Sequence, residues 1–301
     1  MAGQGGPSPQ GAGMTGEVPA VDTPCEILAT GHQFAEAPRE GPDGALYSSD
    51  LTGGGLYRWY AGVVTVALAD RMWIGGCVMN VDGRPIVSGR GGLAIVGGGR
   101  AAPLLQAIGG AAVSAINDIE ADAAGGLYGG TIDFTAILET GAPPAPGLFF
   151  RLDPDGSVDV LREGVAVSNG IGFSPAGDLL YHSESGVGVW AWTHDGHRPR
   201  DPQLFAALDD SDGLAVDAEG GVWVARWRAG ELLRYRADAV LDRRIRLAAV
   251  PNIVSLTFAG PDLTDLIVAT GGADASGAPV GGIVRIRSDV PGLRPHVARF
   301  A

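Results

Sequence analysis

The chain has 301 residues, 46% of them hydrophobic, with 49 glycines, 20 prolines and a formal net charge of −13. This length fits one large domain or two ordinary ones, and the glycine and proline content predicts many tight turns between short extended runs. All 21 basic residues are arginine. Schiff-base chemistry, lysine-bound pyridoxal phosphate and a Walker A loop are therefore excluded, and the acidic balance disfavours nucleic acid and anionic membranes as partners.

The chain begins with small, polar residues rich in proline and glycine, which bury too little apolar surface to offset the entropy of ordering. We predict that residues 1–22 form a disordered N-terminal extension and that residues 23–301 form a single domain. The sequence has no signal-peptide pattern and no run of about 18 apolar residues that would span a membrane. Two cysteines, Cys25 and Cys77, do not suggest a disulfide framework. We therefore expect a cytoplasmic protein with reduced thiols.

From about Cys25 onward, an apolar run, an Asp/Gly turn and a β-rich run recur six times at intervals of about 40 residues. The predicted turn positions are Gly44, Gly83, Gly125, Gly177, Gly220 and Leu263. This period, with alternating strands and no helical periodicity, predicts an all-β fold, a six-bladed β-propeller of four-stranded antiparallel blades. The longest interval contains residues 131–147, predicted to be an inserted loop over one face. The segment EILAT at 26–30 is predicted to pair with the last blade and close the ring.

The residues eight positions before each turn share one place in the repeat, at the start of the innermost strand and close to the central axis. They are Glu36, Gly75, Asn117, Asn169, Asp212 and Ser255. Two carboxylates that face each other across a pore repel unless a cation or a proton lies between them. Asn and Asp also serve as turn residues, but that role does not explain a glutamate at the same offset. We therefore predict a divalent metal bound by Glu36, Asn117, Asn169 and Asp212.

A ligand set made only of carboxylate and carboxamide oxygens is typical of a hard cation. Calcium accepts irregular oxygen sets at about 2.3–2.6 Å, whereas zinc usually binds His or Cys. Calcium is therefore the expected ion, and magnesium, manganese and zinc are the alternatives, because the sequence shows neither the ligand number nor the cavity radius.

At these residues the chain resembles the gluconolactonase/regucalcin (senescence marker protein) family of six-bladed propellers, over about residues 30–270. The matching strings are AEAPREGPDGALYSSD, INDIEADAAGGLYGGT, SNGIGFSPAGDLLYHSES, SDGLAVDAEGGVWVARW and TFAGPDLTDLIVAT. The resemblance implies a divalent metal at the mouth of the central channel, held by Glu36, Asn117, Asn169 and Asp212. The same set is similar to the catalytic calcium site of diisopropyl fluorophosphatase-type and paraoxonase-type propellers. Two positions depart from the family pattern: Ala37 replaces a glycine, and Ala115 replaces the arginine of members that hydrolyse sugar lactones.

The expected function is that of a metal-dependent lactonase, which hydrolyses a small-molecule lactone or related cyclic ester. Catalytic roles are expected for Asp212, Glu36 and Asn117, with Asp212 favoured over Glu36 as the base that accepts the proton of water. A phosphotriesterase-like hydrolase on the same calcium site and a non-catalytic metal-binding propeller are the alternatives. Because Ala115 offers no hydrogen-bond donor, and because the inserted loop is apolar, we expect a substrate less polar than an aldonolactone. The apolar residues of that loop are Ile132, Phe134, Ile137 and Leu138.

Overall fold

Six four-stranded antiparallel sheets form a six-bladed β-propeller, which confirms the fold predicted from the repeat. The computed structural model describes residues 18–247, 250, 252–273 and 276–301. In this part of the chain, one six-residue π-helix, η1 (Thr135–Thr140), is the only helix. None of the described helical structure has the length and hydropathy required to cross a bilayer.

The strands are numbered in chain order, and each blade runs from the axis outwards. Two strands precede the first blade: β1 (Ala20–Thr23) and β2 (Glu26–His32). Blade 1 comprises β3 (Ala35–Glu40), β4 (Leu46–Asp50), β5 (Leu56–Tyr60) and β6 (Val63–Leu68). Blade 2 comprises β7 (Cys77–Met79), β8 (Pro85–Val87), β10 (Leu93–Gly97) and β11 (Arg100–Leu105), with the edge strand β9 (Gly89–Arg90) between β8 and β10 in the chain. A short hairpin follows, β12 (Ala107–Ile108) and β13 (Ala111–Ala112).

The second half of the ring continues the same order. Blade 3 comprises β14 (Ala115–Ala121), β15 (Leu127–Thr131), β16 (Gly147–Leu152) and β17 (Val158–Val165), and β9 pairs with β14 at its edge. Blade 4 comprises β18 (Ser168–Phe173), β19 (Leu179–Glu184), β20 (Gly188–His194) and β21 (Pro199–Ala207). Blade 5 comprises β22 (Ser211–Val216), β23 (Val222–Arg226), β24 (Glu231–Tyr235) and β25 (Leu241–Leu247). Blade 6 comprises β26 (Ile253–Ala259), β27 (Asp265–Thr270), β28 (Gly281–Arg287) and β2.

The six turn positions predicted from the repeat share one backbone conformation. Five are glycines with positive φ, and Leu263 has the same left-handed conformation with φ 55°. In each turn the N–H donates to the carbonyl three residues earlier, for example Gly125 to Asp122 at 3.0 Å and Leu263 to Gly260 at 3.2 Å. The repeat is therefore the same structural unit in all six blades, including the one in which leucine replaces glycine.

The N-terminal side of the chain closes the ring. Strand β2 pairs antiparallel with β28, with Ile27 opposite Val284, which confirms the closure predicted for residues 26–30. Strand β1 pairs in parallel with β25 on the outer edge of blade 5, with Val21 opposite Ile245. The domain boundary predicted at residue 23 falls within β1, and residues 1–17 of the predicted extension lie outside the described residues.

The C-terminal segment crosses the end of the propeller where the innermost strands end. The Asn80 side chain donates to the Phe300 carbonyl at 2.8 Å and accepts from the Phe300 N–H at 2.9 Å. Two further backbone bonds, Ala298 N–H to Met79 and Arg299 N–H to Gly125, hold the same segment. The chain end is thus attached to blades 2 and 3.

Candidate metal and active site

A β-bulge interrupts the innermost strand in five blades, close to the predicted site residue. In β18, Ser168 lies opposite Glu184 and Ile171 opposite His182, so Asn169 and the next residue have no paired partner. The same irregularity places Asn117 in the bulge of β14 and Asp212 in that of β22, and it begins directly after Glu36 in β3. A bulge turns side chains away from the regular alternation of a strand. Three of the four predicted ligands therefore lie in such a bulge, and Glu36 lies directly before one.

Small residues at and after the site positions let neighbouring inner strands approach closely at the axis. A Cβ on Gly170 would lie 2.2 Å from the Leu214 amide nitrogen, and one on Gly213 would lie 2.6 Å from the Ser255 Cα. Gly75, the blade 2 equivalent of the site residues, faces Asn117, and a Cβ there would lie 2.1 Å from the Asn117 Oδ1. The Asn117 oxygen thus occupies the space that a side chain at position 75 would fill.

The two asparagines and a serine form a hydrogen-bonded chain across blades 3 to 5. Asn117 Nδ2 donates to Asn169 Oδ1 at 2.6 Å and to the Ser168 carbonyl at 2.8 Å. Asn169 Nδ2 donates to Ser185 Oγ at 2.7 Å, and the Ser185 hydroxyl donates to the Ser211 carbonyl. Both carboxamide groups are therefore held in one orientation by their NH₂ groups, which leaves the Asn117 oxygen without a share in these bonds.

The carboxylates of the site are buried beside one another. Burial raises the pKa of Glu36 well above its usual value, and the negative charges of Asp212 and Asp118 raise it further. Burial, followed by the charges of Asp118 and Asp210, raises the pKa of Asp212 in the same way. Burial also raises the pKa of Asp118 to about 7, although Arg39 opposes this effect. These acids therefore need a proton or a cation between them to lie in this place.

Hydrogen bonds do not compensate for this charge. Glu36 accepts from the Ala37 N–H at 3.1 Å and from the Ser255 side chain. Within the described ranges no donor reaches the Asp212 carboxylate, although the residue is only 8% exposed. The nearby cation, Arg39, forms an ion pair with Glu120 at 2.7 Å. Among the described residues, the carboxyl groups of Glu36 and Asp212 therefore have no cationic partner of their own.

The oxygen groups of the four predicted ligands are chemically suited to a hard divalent cation. The structure brings all four predicted ligands to the inner-strand bulges, each at most 8% exposed. The described residues contain no group of three or more His, Cys, Asp or Glu side chains placed to hold a metal. An ion at this point would therefore need the carboxamide oxygens of Asn117 and Asn169 as well as the two carboxylates.

Apolar residues precede the site residues in four consecutive blades. Two positions before Glu36, Gly75, Asn117 and Asn169 lie Phe34, Trp73, Ala115 and Val167. All four belong to one cluster, which also contains Leu51, Ile132 and Phe134. In blade 5 the corresponding residue is Asp210, which pairs with Arg226 at 2.8 Å. The layer next to the oxygen groups is thus apolar on the side of blades 1 to 4 and charged at blade 5.

The inserted loop adds to this apolar layer. Ile132 and Phe134 are buried in it, and Ile137 of η1 packs against it, whereas Leu138 is 40% exposed. Met72 also packs against the cluster, but Trp227 is exposed, with the Arg228 guanidinium 5.5 Å from its ring centre. Ala115, at the position of the family's arginine, is fully buried within this layer.

His182 supports the site from behind. Its ring stacks on Phe149 with centroids 4.0 Å apart, and its Nε2 lies 2.8 Å from Ser168 Oγ. Burial lowers the pKa of His182 to about 3, so the ring is neutral. Ser168 is itself fully buried, and its carbonyl accepts from Asn117. The pair therefore positions the asparagine and is not exposed as a nucleophile.

Sequence reasoning missed Asp118 and Ser185. Asp118 follows Asn117 in the same bulge, and Ser185 lies after the second strand of blade 4, outside the repeat position that identified the other residues. The one sign of irregular strand pairing in the sequence was a glycine directly after the site position in several blades: Gly76, Gly170 and Gly213. That pattern indicates close strand approach and hence irregular pairing.

The family is shown by a comparison with known families. A model described as the SMP-30/Gluconolactonase/LRE-like region matches residues 34–272. The chain belongs to this family. This confirms the resemblance identified from the inner-strand motifs.

The curated relatives include lactonases. The chain is 32% identical over 169 residues to pentonolactonase XacC of Haloferax volcanii, an alignment that covers 54% of this chain and 55% of that protein. It is 32% identical over 154 residues to L-arabinolactonase of Azospirillum brasilense, with 48% and 50% covered. The chain thus spans about half the length of these relatives. A solved structure described as a calcium-binding protein, regucalcin, from Agrobacterium tumefaciens matches with TM-score 0.79 at 21% identity, over 93% of this chain and 99% of that one. That likeness supports the fold.

Proposed function

We propose that the protein is a metal-dependent lactonase that hydrolyses a lactone or related cyclic ester at the axial site. The observation that carries the proposal is the buried, uncompensated pair Glu36 and Asp212 beside two oriented carboxamides. The lactonases among its relatives support the reaction class. We expect it to act in the cytoplasm on a small molecule, without nucleic acid or membrane.

The chain's own residues have distinct parts in this proposal. A divalent ion held by Glu36, Asn117, Asn169 and Asp212 would polarise the lactone carbonyl as a Lewis acid. Calcium is the expected ion, with magnesium, manganese and zinc as alternatives. Asp212 is the expected base, because its carboxylate accepts no hydrogen bond from the described protein and has its lone pairs available for the proton of water.

The other residues fix geometry. Glu36 is oriented by the Ala37 N–H and by Ser255. Asn117 is oriented by its two donated bonds, so its oxygen lies at the axis before substrate arrives. Such preorganisation lowers the cost of forming the charged transition state.

The test is lactone hydrolysis before and after chelation, with elemental analysis of the bound metal. Asp212→Asn and Asn169→Ala are expected to lower kcat by about 100-fold, which corresponds to about 2.7 kcal/mol. Asp209→Asn is the matched control, because Asp209 is exposed and its carboxylate pairs with Arg228 at the surface. Unchanged activity in metal-free protein, or in folded Asp212→Asn, would contradict the proposal. Turnover of phosphotriesters alone would replace lactone by phosphotriester as the substrate.

The substrate is proposed to be less polar than an aldonolactone. The support is the apolar layer of Phe34, Trp73, Ala115 and Val167 above the oxygen groups. A polyol that enters such a layer loses water without gaining hydrogen-bond partners.

The measurement is kcat/KM for gluconolactone and for an alkyl-substituted lactone of equal ring size. We expect a preference for the alkyl lactone that narrows in Ile137→Asn, because Ile137 packs against the layer. Leu138→Asn is the control, since Leu138 is exposed on the same helix. A preference for gluconolactone in the unmodified protein would contradict this part of the proposal.

A further inference from the structure

A cavity lies at the end of the central channel opposite the proposed metal site. It has a volume of about 270 Å³ and is lined by the later residues of four innermost strands, β14, β18, β22 and β26. Asn169 begins β18 at the proposed metal site, and Phe173 ends it at this cavity. Four residues of extended chain separate the two by about 13 Å. The cavity is therefore distinct from the site of Glu36 and Asp212.

Two of the three fixed charges that line this cavity are cationic, although the whole chain has a net charge of −13. Arg39 lies at the channel side, and Arg294 and His296 belong to the C-terminal segment that forms the outer rim. Glu120 is the one acidic residue of the lining, and Arg39 Nη2 donates to it at 2.7 Å. Arg294 is exposed, and the described residues supply no acidic partner within ion-pair distance. The cavity thus has one more fixed cation than anion.

Arg39 has donor capacity left for a ligand. Its Nε donates to the Cys77 carbonyl at 2.8 Å and its Nη2 to Glu120, which fix the guanidinium in place. No acceptor for Nη1 is found among the described residues. A guanidinium held in this way presents its remaining N–H groups to an acceptor at little entropic cost, and carboxylates are its preferred partners.

The rest of the wall is mostly apolar, with Ser174 and Thr257 as its polar residues. Phe173 and Leu293 line the cavity, and Phe173 contacts His296 edge-on with ring centres 6.0 Å apart. The bonds between Asn80 and Phe300 hold the segment that carries the rim. The volume is slightly below the usual range of about 300–1,000 Å³ for small-molecule pockets, which suits a small ligand.

We propose that this cavity binds a small organic monocarboxylate, with its carboxylate between Arg39 and Arg294 and its apolar body against Phe173 and Leu293. The hydroxy acid that a lactonase would release has this chemistry, and so do other short-chain carboxylates. The inference concerns binding and is independent of whether the axial site hydrolyses lactones.

The test is calorimetric titration of the full chain with sodium hexanoate and with hexanamide, which has the same length without the charge. We expect one hexanoate per chain and binding of hexanamide weaker by at least about tenfold, because only the carboxylate pairs with the arginines. Arg294→Gln is expected to weaken hexanoate binding by about tenfold or more. Ala123→Trp, which places a large side chain at an exposed part of the rim, is expected to block it.

Two controls separate this cavity from the rest of the molecule. Arg100→Gln removes an exposed arginine of blade 2 and is expected to leave binding unchanged. Asp212→Asn is expected to retain binding, and Arg294→Gln to retain any lactone hydrolysis. The protein is also titrated with the hydroxy acid obtained by opening the lactone that it hydrolyses fastest. Comparison of the binding of this acid with the binding of hexanoate distinguishes the reaction product from other carboxylates. Equal binding of hexanoate and hexanamide, absence of hexanoate binding at millimolar concentration, equal loss in Arg294→Gln and Arg100→Gln, or loss in Asp212→Asn would each overturn the proposal.

Discussion

Gly75→Ala is expected to displace the Asn117 side chain without breaking the fold. Position 75 does not have a positive φ, so alanine meets no backbone strain there. The new Cβ would lie 2.1 Å from Asn117 Oδ1, whereas an ordinary contact begins at 3.4 Å. The oxygen must therefore move by about 1 Å, a displacement that at a reaction centre costs about 100-fold in rate. The two hydrogen bonds that Asn117 donates oppose this movement at about 1 kcal/mol each.

The assay measures kcat/KM for the lactone that the unmodified protein hydrolyses fastest, together with bound metal per chain and the circular dichroism spectrum. We expect kcat/KM to fall about 100-fold with an unchanged spectrum. Gly97→Ala is the matched control, because its Cβ would meet only the Arg84 Cδ at 3.4 Å. Full activity and full metal content in folded Gly75→Ala would refute a role for Asn117, and an equal loss in Gly97→Ala would show that the effect is general.

Two further predictions concern stability. Burial lowers the pKa of His182 to about 3, below its ordinary 6.5, so the stability that the neutral ring contributes is fully present above pH 6.5 and is lost as the pH falls below it. Relative to His182→Phe, the free energy of unfolding of the unmodified protein should fall by about 2 kcal/mol from pH 7 to pH 5. An equal pH dependence in the two proteins would contradict the buried neutral ring. Residues Ala61 and Gly62 connect β5 to β6 with φ 49° and 79°, which is a type I′ turn, and such turns favour Asn-Gly. Ala61→Asn should therefore raise the free energy of unfolding in urea by about 0.5–1 kcal/mol, whereas Ala61→Val should lower it. A lower free energy of unfolding in Ala61→Asn would refute the turn assignment.

The sequence was sufficient for the repeat because each blade contains the same turn, and the turn depends on one residue with positive φ. Even Leu263 was placed correctly, since its alignment followed from the neighbouring strands. The offset of eight residues likewise placed Glu36, Asn117, Asn169 and Asp212 at equivalent positions. These features are local, so one repeat is enough to show them.

Features that depend on two blades were not predictable in the same way. The bulges at Asn169 and Asp212 arise because inner strands approach each other, and alternation along one strand does not show which residue loses its partner. The charge of Asp118 near Glu36 and the bond from Asn169 to Ser185 require positions from separate strands or blades. The end cavity depends on the C-terminal segment, which lies outside the repeat.

Ring closure by β2 joins residues that are far apart in the chain. The Glu26 carboxylate and the Arg285 guanidinium form an ion pair across a separation of 259 residues. During synthesis β2 is made early and β28 is among the last strands, so β2 has an open hydrogen-bonding edge until almost the whole chain has left the ribosome. Such long-range pairing raises the contact order and slows folding, and an open edge pairs readily with another chain. Truncation before β28 would therefore leave β2 without its partner strand and favour aggregation over a smaller, stable propeller.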